Sequence, residues 1–332
     1  MNTENPARSW QHWELHRTIT PRNILILFVS FVLLSFSAHN TEMDKALVET
    51  SRAVLSLVGV GESQVLDGAV RFGSKAFPLQ ISERTAVNRL DEFDPGNLPL
   101  FSYIEVAEDR DYDALTETWT TEKTEFLVEP IGYLTKVLGK MWETIEMGFW
   151  GTLISIMISL PLGVLSSRNY SPHKLVYTIA RGWLSFHRAM PELIIALFLV
   201  LMYGFGPIAG VLALAIHTSG VLGKFFADEI ENAPPGPQMA LSASGANAVK
   251  VLRFAVFPHV FPAWIAYVQY IFERNIRTAT VLGIVGAGGI GMELKGRWDL
   301  FDYSHVSTIL LVIFITVVVL ELISQKLRDK TL

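Results

Sequence analysis

The chain has 332 residues, 50% of them hydrophobic and only 18% charged, with a mean hydropathy of +0.35, which is too apolar for a soluble domain of this size and marks a membrane protein. It contains no cysteine, which excludes disulfides, thiolate metal sites and cysteine nucleophiles together. The net charge of −5 is unevenly spread: residues 39–140 hold 18 Asp/Glu against 10 Lys/Arg and so carry −8, while the remainder carries +3.

Residues 1–23 include Arg8, Arg17 and Arg22 and lead into the uncharged, apolar stretch 24–38. This pattern fits a signal peptide, with Ser35 and Ser37 as a small-x-small cleavage site. The preferred reading is an uncleaved anchor, because retaining it gives an even number of crossings. The stretch is short for a span of roughly 20 residues, so its flanking polar groups must snorkel. Residues 39–140 contain no run long enough to cross a bilayer and include the charged run Glu108-Asp109-Arg110-Asp111-Tyr112-Asp113. A turn is expected at Asp94-Pro95-Gly96, and short strands at 69–72 and 102–106. The stretch reads as a small extracytoplasmic α+β insertion. Its acidity reads as a solvated face rather than a metal site, since the carboxylates lack calcium-loop spacing.

Residues 147–165 are 19 uncharged positions, enough to span. Arg168, Lys174, Arg181 and Arg188 then mark a cytoplasmic segment. Residues 193–223 hold no Lys, Arg, Asp or Glu, and as one helix would measure about 46 Å, longer than a hydrocarbon core of roughly 30 Å. Gly204-Phe205-Gly206-Pro207 divides that run, which predicts a helical hairpin rising over about 183–203 and returning over about 208–226. A fifth span over about 257–282, a glycine-rich outer bend at 283–291 and a sixth span over about 304–322 follow, and Lys326, Arg328 and Lys330 close the chain. Six crossings place both termini on one side. The short segments there carry 13 Lys/Arg against 2, Lys295 and Arg297, opposite, so that side is expected to be cytoplasmic.

Between the fourth and fifth spans lies PPGPQMALSASGANAVKVLRFAVFP, residues 234–258. It reads as a Pro/Gly turn, a short helix of small residues (Met239, Ala240, Ser242, Ala243, Ser244), Gly245, a second basic and apolar helix, and Pro258 thirteen positions after the glycine. The plain alternative is an ordinary loop between membrane helices. Gly286-x-Gly288-x-x-Gly291 is a literal dinucleotide fingerprint, but the fingerprint needs a preceding strand and an acidic residue about 20 positions on, and position 311 falls inside a span. Gly283, Gly286, Gly288, Gly289 and Gly291 instead suit a tight re-entrant bend packed against protein. The chain has no Gly-x4-Gly-Lys-Ser/Thr loop, no metal-type His-Glu-x-x-His pair, and no nucleophile elbow, so nothing suggests catalysis within it.

One charged cluster, Glu273-Arg274-Asn275-x-Arg277, falls in the outer part of the fifth span. Ionisable groups at that depth face a bundle interior or a watery cavity and are functional candidates. Alternatively Glu273 and Arg277, at i, i+4, simply pair with each other. Arg188 and Glu192, on either side of Met190-Pro191, carry the same ambiguity, with Pro191 expected to kink the chain.

The Gly245 to Pro258 spacing, together with His217-Thr-x-Gly-Val-Leu-Gly-Lys-x-Phe226, Glu143-Thr-Ile-Glu-Met-Gly-Phe-Trp-Gly-Thr-Leu153 and Arg277-x-Ala-Thr-Val-Leu-Gly-Ile-Val-Gly-Ala-Gly-Gly-Ile-Gly291, resembles the permease subunits of phosphonate, phosphite and phosphate ABC importers. The likeness covers roughly residues 143–323. It implies an all-α type I importer transmembrane fold in a bacterial inner membrane, with a cytoplasmic N-terminus and first helix (1–38), the insertion (39–140), a permease core (141–323) with a coupling helix at about 234–247, and a cytoplasmic tail (324–332). It further implies a second permease copy, separate ATPase subunits that hold ATP and magnesium, a periplasmic binding protein that delivers the oxyanion, no cofactor in this chain and no nucleic-acid partner. Two features depart from the pattern: Met239 stands where the family usually has Glu, and the insertion is unusually long. A secondary transporter would instead show an internal repeat of broken helices and a midplane carboxylate, which are not seen here, and a membrane sensor or scaffold acting through the insertion would need no ATPase.

Overall fold

The computed structural model describes residues 20–57, 59, 61–90, 93–96, 98–99, 101–113 and 118–331. The basic residues Arg8 and Arg17 lie outside the described residues, as do the side chains of 109–122. The chain forms two units, Met1–Ser74 and Lys75–Leu332.

In the first unit, helix α1 runs Pro21–Asn40, longer than the apolar stretch alone, because the Thr20 hydroxyl accepts the Asn23 amide at 3.3 Å and Pro21 opens the first turn. Its 20 residues give about 30 Å, and none is buried within the chain, so the apolar stretch 24–38 is left for lipid to cover. Helices α2 (Met43–Leu57) and α3 (Gln64–Ala76) follow. The strand expected at 69–72 is in fact part of α3: four alternating residues fit either period, and Leu66, Ala69, Val70 and Gly73 continue a 3–4 spacing that only a helix satisfies.

The second unit opens with a three-stranded antiparallel sheet, β1 (Glu83–Ala86), β2 (Tyr103–Asp113) and β3 (Thr118–Glu129), in the order β1-β3-β2. The strand expected at 102–106 is the start of β2, whose hairpin with β3 pairs Tyr103 with Val128 and Asp113 with Thr118. Asp94 Oδ1 accepts the Gly96 amide at 2.9 Å, which makes the expected turn. Leu127 and Val128 are buried, and three contacts tie the sheet's base to the helices: the Leu134 amide donates to the Ile81 carbonyl at 3.2 Å, the Thr308 hydroxyl to the Gln80 carbonyl at 2.7 Å, and Lys136 lies 3.5 Å from Glu83.

Helix α4 (Gly132–Leu165) starts well before the uncharged stretch at 147, because its first turns are amphipathic and carry Lys136, Lys140, Glu143 and Glu146. Its buried face recurs every three to four residues, from Tyr133 and Val137 through Met147, Gly151 and Ser155 to Gly163. That stripe lies along α7 (Pro207–Asn232), and a Cβ on Gly151 would come within 2.8 Å of Leu214 Cβ, so the approach of the two backbones depends on the missing side chain.

The rising arm expected over 183–203 is not one helix. α5 (Lys174–Ala189) and α6 (Glu192–Tyr203) meet at an 87° bend. Pro191 has no amide to donate and forces Met190 into an extended conformation, φ −78° and ψ 121°. α6 alone is about 18 Å long, too short to span. Counting the bent pair as one crossing, the described residues contain six candidate spans. The returning arm is α7, the most enclosed helix, with Ala213, Leu214, Leu222, Phe226 and Ile230 all at or below 1% exposure.

Helices α8 (Pro235–Ala243) and α9 (Ala248–Val251) lead through one π-helical turn, Leu252–Val256, into α10 (Phe257–Ile284). α11 (Gly289–Asp299) and α12 (Tyr303–Thr331) complete the bundle.

Candidate functional site

Three places hold the residues singled out in the sequence. At the basic end of the bundle, α8 has no buried residue, and Met239, Ala240, Ser242, Ala243, Ser244, Gly245 and Pro258 are all exposed. Gly245 has φ +86°, its amide donates to the Ser242 carbonyl at 3.0 Å, and the Ala246 amide donates to the Leu241 carbonyl at 3.1 Å. This is a Schellman termination, which requires a left-handed residue at that position. A Cβ there would meet nothing within 4 Å, so the glycine answers to backbone conformation and not to space. Gln238 fixes the helix from behind, donating to the Ala233 and Pro234 carbonyls at 3.0 and 3.1 Å and accepting from Tyr170 Oη at 2.8 Å.

Beside α8 is a set of contacts with no local signal in the sequence. Arg181 on α5 reaches Asp228 at 2.8 Å and Glu231 at 2.9 Å on α7, and donates to the Ser166 carbonyl at the end of α4 at 3.2 Å. Glu231 also accepts the Arg168 amide at 2.7 Å. One guanidinium therefore fastens three helices next to the exposed helix.

The second place is along α10, where Arg274 is half-buried and Arg277 exposed. Arg274 and Arg277 stand on successive turns of α10, but each already holds a carboxylate. Arg277 lies 2.9 Å from Glu273, the i, i+4 pair, and Arg274 Nη2 lies 3.1 Å from Glu192 Oε1 at the start of α6. The same Nη2 is 3.2 Å from His217 Nε2 on α7, and His217 Nδ1 is 2.9 Å from the Met190 carbonyl. A carbonyl only accepts, so Nδ1 carries a proton, while Nε2 faces both the guanidinium and, at 3.5 Å, Glu192 Oε2. Asn275 joins the same helices through Thr152 at 2.9 Å and Thr218 at 3.0 Å. The sequence points to Arg274, Arg277 and Glu273, and sets Glu192 with Arg188 as a candidate or a mutual pair, whereas in the structure Glu192 holds Arg274; His217 enters only within a motif.

The third place is the glycine bend. Gly286, Gly288 and Gly289 have φ of +92°, +82° and +70°, and a Cβ on Gly291 would overlap the Thr280 carbonyl oxygen. The Gly206 amide donates to the Gly286 carbonyl at 3.0 Å, so the two glycine turns meet. Glu143 Oε1 accepts the Gly289 amide at 3.1 Å and Thr144 Oγ1 accepts the Ile290 amide at 2.8 Å, which supplies partners for the first turn of α11 and accounts for the Glu-Thr pair in the sequence. The bend joins two helices, with no strand before it, which rules out a dinucleotide turn.

A bundle with one broken span, a glycine bend and an exposed helix between its fourth and fifth crossings is the transmembrane subunit of a type I ABC importer. The same fold occurs in a chain of the MetNI methionine ABC transporter in an inward-facing conformation (TM-score 0.51, 18% identity, 59% of this chain and 96% of that one) and in an amino acid ABC transporter crystallised with histidines (TM-score 0.52, 16% identity, 60% and 96%). The chain belongs to the family of binding-protein-dependent transport system inner membrane components, whose model matches residues 159–329. Among its relatives is a Stutzerimonas stutzeri protein provisionally named phosphite transport system permease protein HtxE, 48% identical over 76% of this chain and 99% of the relative. Others are the phosphite transport system permease protein PtxC of the same organism (42% identical, 56% of this chain, 68% of the relative) and the phosphate-import permease protein PhnE of Mycolicibacterium smegmatis (42%, 57% and 35%). The chain is thus a multi-pass inner-membrane permease and not an enzyme; ATP is hydrolysed by a separate subunit, and a substrate-binding protein works with it.

Proposed function

We propose that this permease moves a phosphorus oxyanion, phosphite, phosphonate or phosphate, into the cytoplasm by alternating access. The observation that carries the reading is the pair of guanidiniums on successive turns of the membrane-spanning α10, Arg274 and Arg277. A guanidinium fork matches phosphoryl oxygens, and two permease copies facing each other would place four such forks along the path. The substrates named for the relatives, phosphite and phosphate, belong to that chemical class.

In this reading two copies of the chain form the pathway, with both termini in the cytoplasm and α8 docked on an ATPase that holds ATP and magnesium; this chain holds no cofactor. Small exposed residues on α8 suit such docking because they let a partner's backbone approach closely. The insertion of residues 39–140 stands outside the membrane and contacts a phosphonate- or phosphate-type binding protein. Glu273 serves as the standing counter-ion of Arg277, and the glycine bend forms the outer rim.

The test is uptake into proteoliposomes containing the permease, its ATPase and its binding protein. ATP-dependent accumulation of phosphite, phosphate or a simple alkylphosphonate is expected, with Arg274→Gln and Arg277→Gln each reducing it while assembly with the ATPase stays normal. Wild-type uptake by both variants would remove the oxyanion path from α10.

A further inference from the structure

Glu192, Glu273, Arg274 and Arg277 sum to no net charge, so an anion arriving in this conformation finds both guanidiniums occupied by carboxylates. Each guanidinium still has free N–H groups, but its charge is already balanced, so a phosphoryl oxygen gains full charge-assisted bonding there only if a carboxylate leaves. The two pairs differ in how they can part. Glu273 and Arg277 lie one turn apart on α10, and no rigid-body movement of helices changes their separation. Glu192 and Arg274 lie on different elements, α6 and α10, and Glu192 is the first helical residue beyond the 87° bend. A shift of α6 away from α10 stretches that pair and leaves the other intact.

His217 completes the arrangement. Its Nε2 lies 3.2 Å from Arg274 Nη2, so α7 offers the guanidinium a contact that does not depend on the carboxylate. Glu192, the partner of Arg274, also borders a cavity of about 320 Å³ whose lining includes Arg277, Thr278 and Val281, so one carboxylate links Arg274 to the space beside Arg277. We propose that Glu192 is a built-in competitor of the substrate: it occupies the anion position on Arg274 while the pathway is at rest, and the movement of α6 during the transport cycle withdraws it so that the oxyanion can take its place. The inference rests on the reading of Arg274 and Arg277 as the oxyanion path.

The experiment is equilibrium binding of labelled inorganic phosphate and phosphite to the purified permease–ATPase complex without its binding protein. Glu192→Gln is expected to bind the anion about tenfold more tightly than the wild type, the weight of one charge-assisted hydrogen bond no longer contested. The gain is expected to vanish in Glu192→Gln/Arg274→Gln. An assembled, monodisperse Glu192→Gln complex that binds no better than the wild type overturns the proposal. The absence of native cysteine permits a second measurement that leaves Glu192 in place: spin labels on cysteines substituted for the exposed Leu197 on α6 and Val281 on α10. Their separation is expected to change by more than about 3 Å between the nucleotide-free and vanadate-trapped complexes, a shift of the size helices make at such transitions; an unchanged separation also overturns the proposal. Failure of the path itself looks different: Arg274→Gln and Arg277→Gln would then transport normally. If those variants are transport-dead and Glu192→Gln gains nothing, only the competitor role is lost.

Discussion

His217 Nδ1 lies 2.9 Å from the carbonyl oxygen of Met190, the residue at which α5 gives way to α6. The bend at Pro191 leaves carbonyls without helical partners at membrane depth, where an unsatisfied polar group is costly, and a side chain from α7 takes one of them up.

Replacing His217 by Phe keeps the volume of a ring and removes both nitrogens. Losing the bond to Met190 is expected to cost about 1–3 kcal/mol, seen as a lower melting temperature of the permease–ATPase complex in detergent. Asn, which can still donate to the carbonyl, is expected to recover part of the loss. Equal stability of wild type and Phe variant would show that water or lipid serves Met190 instead.

Gly245→Asp is expected to leave membrane insertion intact and abolish substrate-stimulated ATP hydrolysis. The left-handed conformation costs a side chain about 1 kcal/mol, which Asp tolerates better than most, and there is open space around the position. The helix should therefore persist, and the defect should come from the carboxylate on the docking face. Normal coupled transport by this variant would show that α8 is not the coupling element.

Arg181→Gln strips Asp228 and Glu231 of their shared cation and Ser166 of a donor. A loss of about 1–3 kcal/mol is expected. Arg181→Lys should rescue little, since a compact ammonium lacks the planar fork that reaches two carboxylates on α7 and a carbonyl at the end of α4 together. Thermal unfolding of the three proteins side by side decides it, and full rescue by Lys would mean that charge alone matters.

Asp302, in the turn between α11 and α12, is partly buried, which by itself would raise its pKa. The hydrogen bond and charge of His305, 2.6 Å away, and the charge of Arg297 outweigh burial and hold the carboxyl below its usual range. A carboxyl depressed in the folded state contributes stability that is complete above its unfolded pKa and is lost as pH falls through the folded value. The contribution of Asp302 is therefore expected to be intact at neutral and mildly acidic pH and to fade only below about pH 4. Asp302→Asn should lower the melting temperature at pH 7 and make little difference near pH 3; a constant difference across that range would contradict the linkage.

The parts of this fold that were legible in the sequence are those whose physics is local. α1, α7 and α12 follow from uncharged runs, the end of α8 from a glycine in a fixed place, and the Glu273–Arg277 pair from its spacing. The bend at Pro191 was harder to see, because the apolar run that follows it continues unbroken through two elements. The outer turns of α4 were hidden by their own charges, Lys136 to Glu146, which read as loop when only hydropathy is followed. Glu192 and Arg274 are 82 positions apart, and Arg181 and Asp228 are 47 apart. No period in a sequence announces such partners; they exist only once α5, α6, α7 and α10 are packed.

The 34 residues of α4 make a rod of about 51 Å, anchored at one end where Arg181 holds Ser166 and carrying the sheet at the other through Leu134 and Lys136. Such a rod is a lever. A tilt of only about 10° around its anchored end displaces the sheet by about 9 Å, a movement larger than the spacing between neighbouring strands. Whatever rests on that sheet would feel a small rotation among the helices as a large translation.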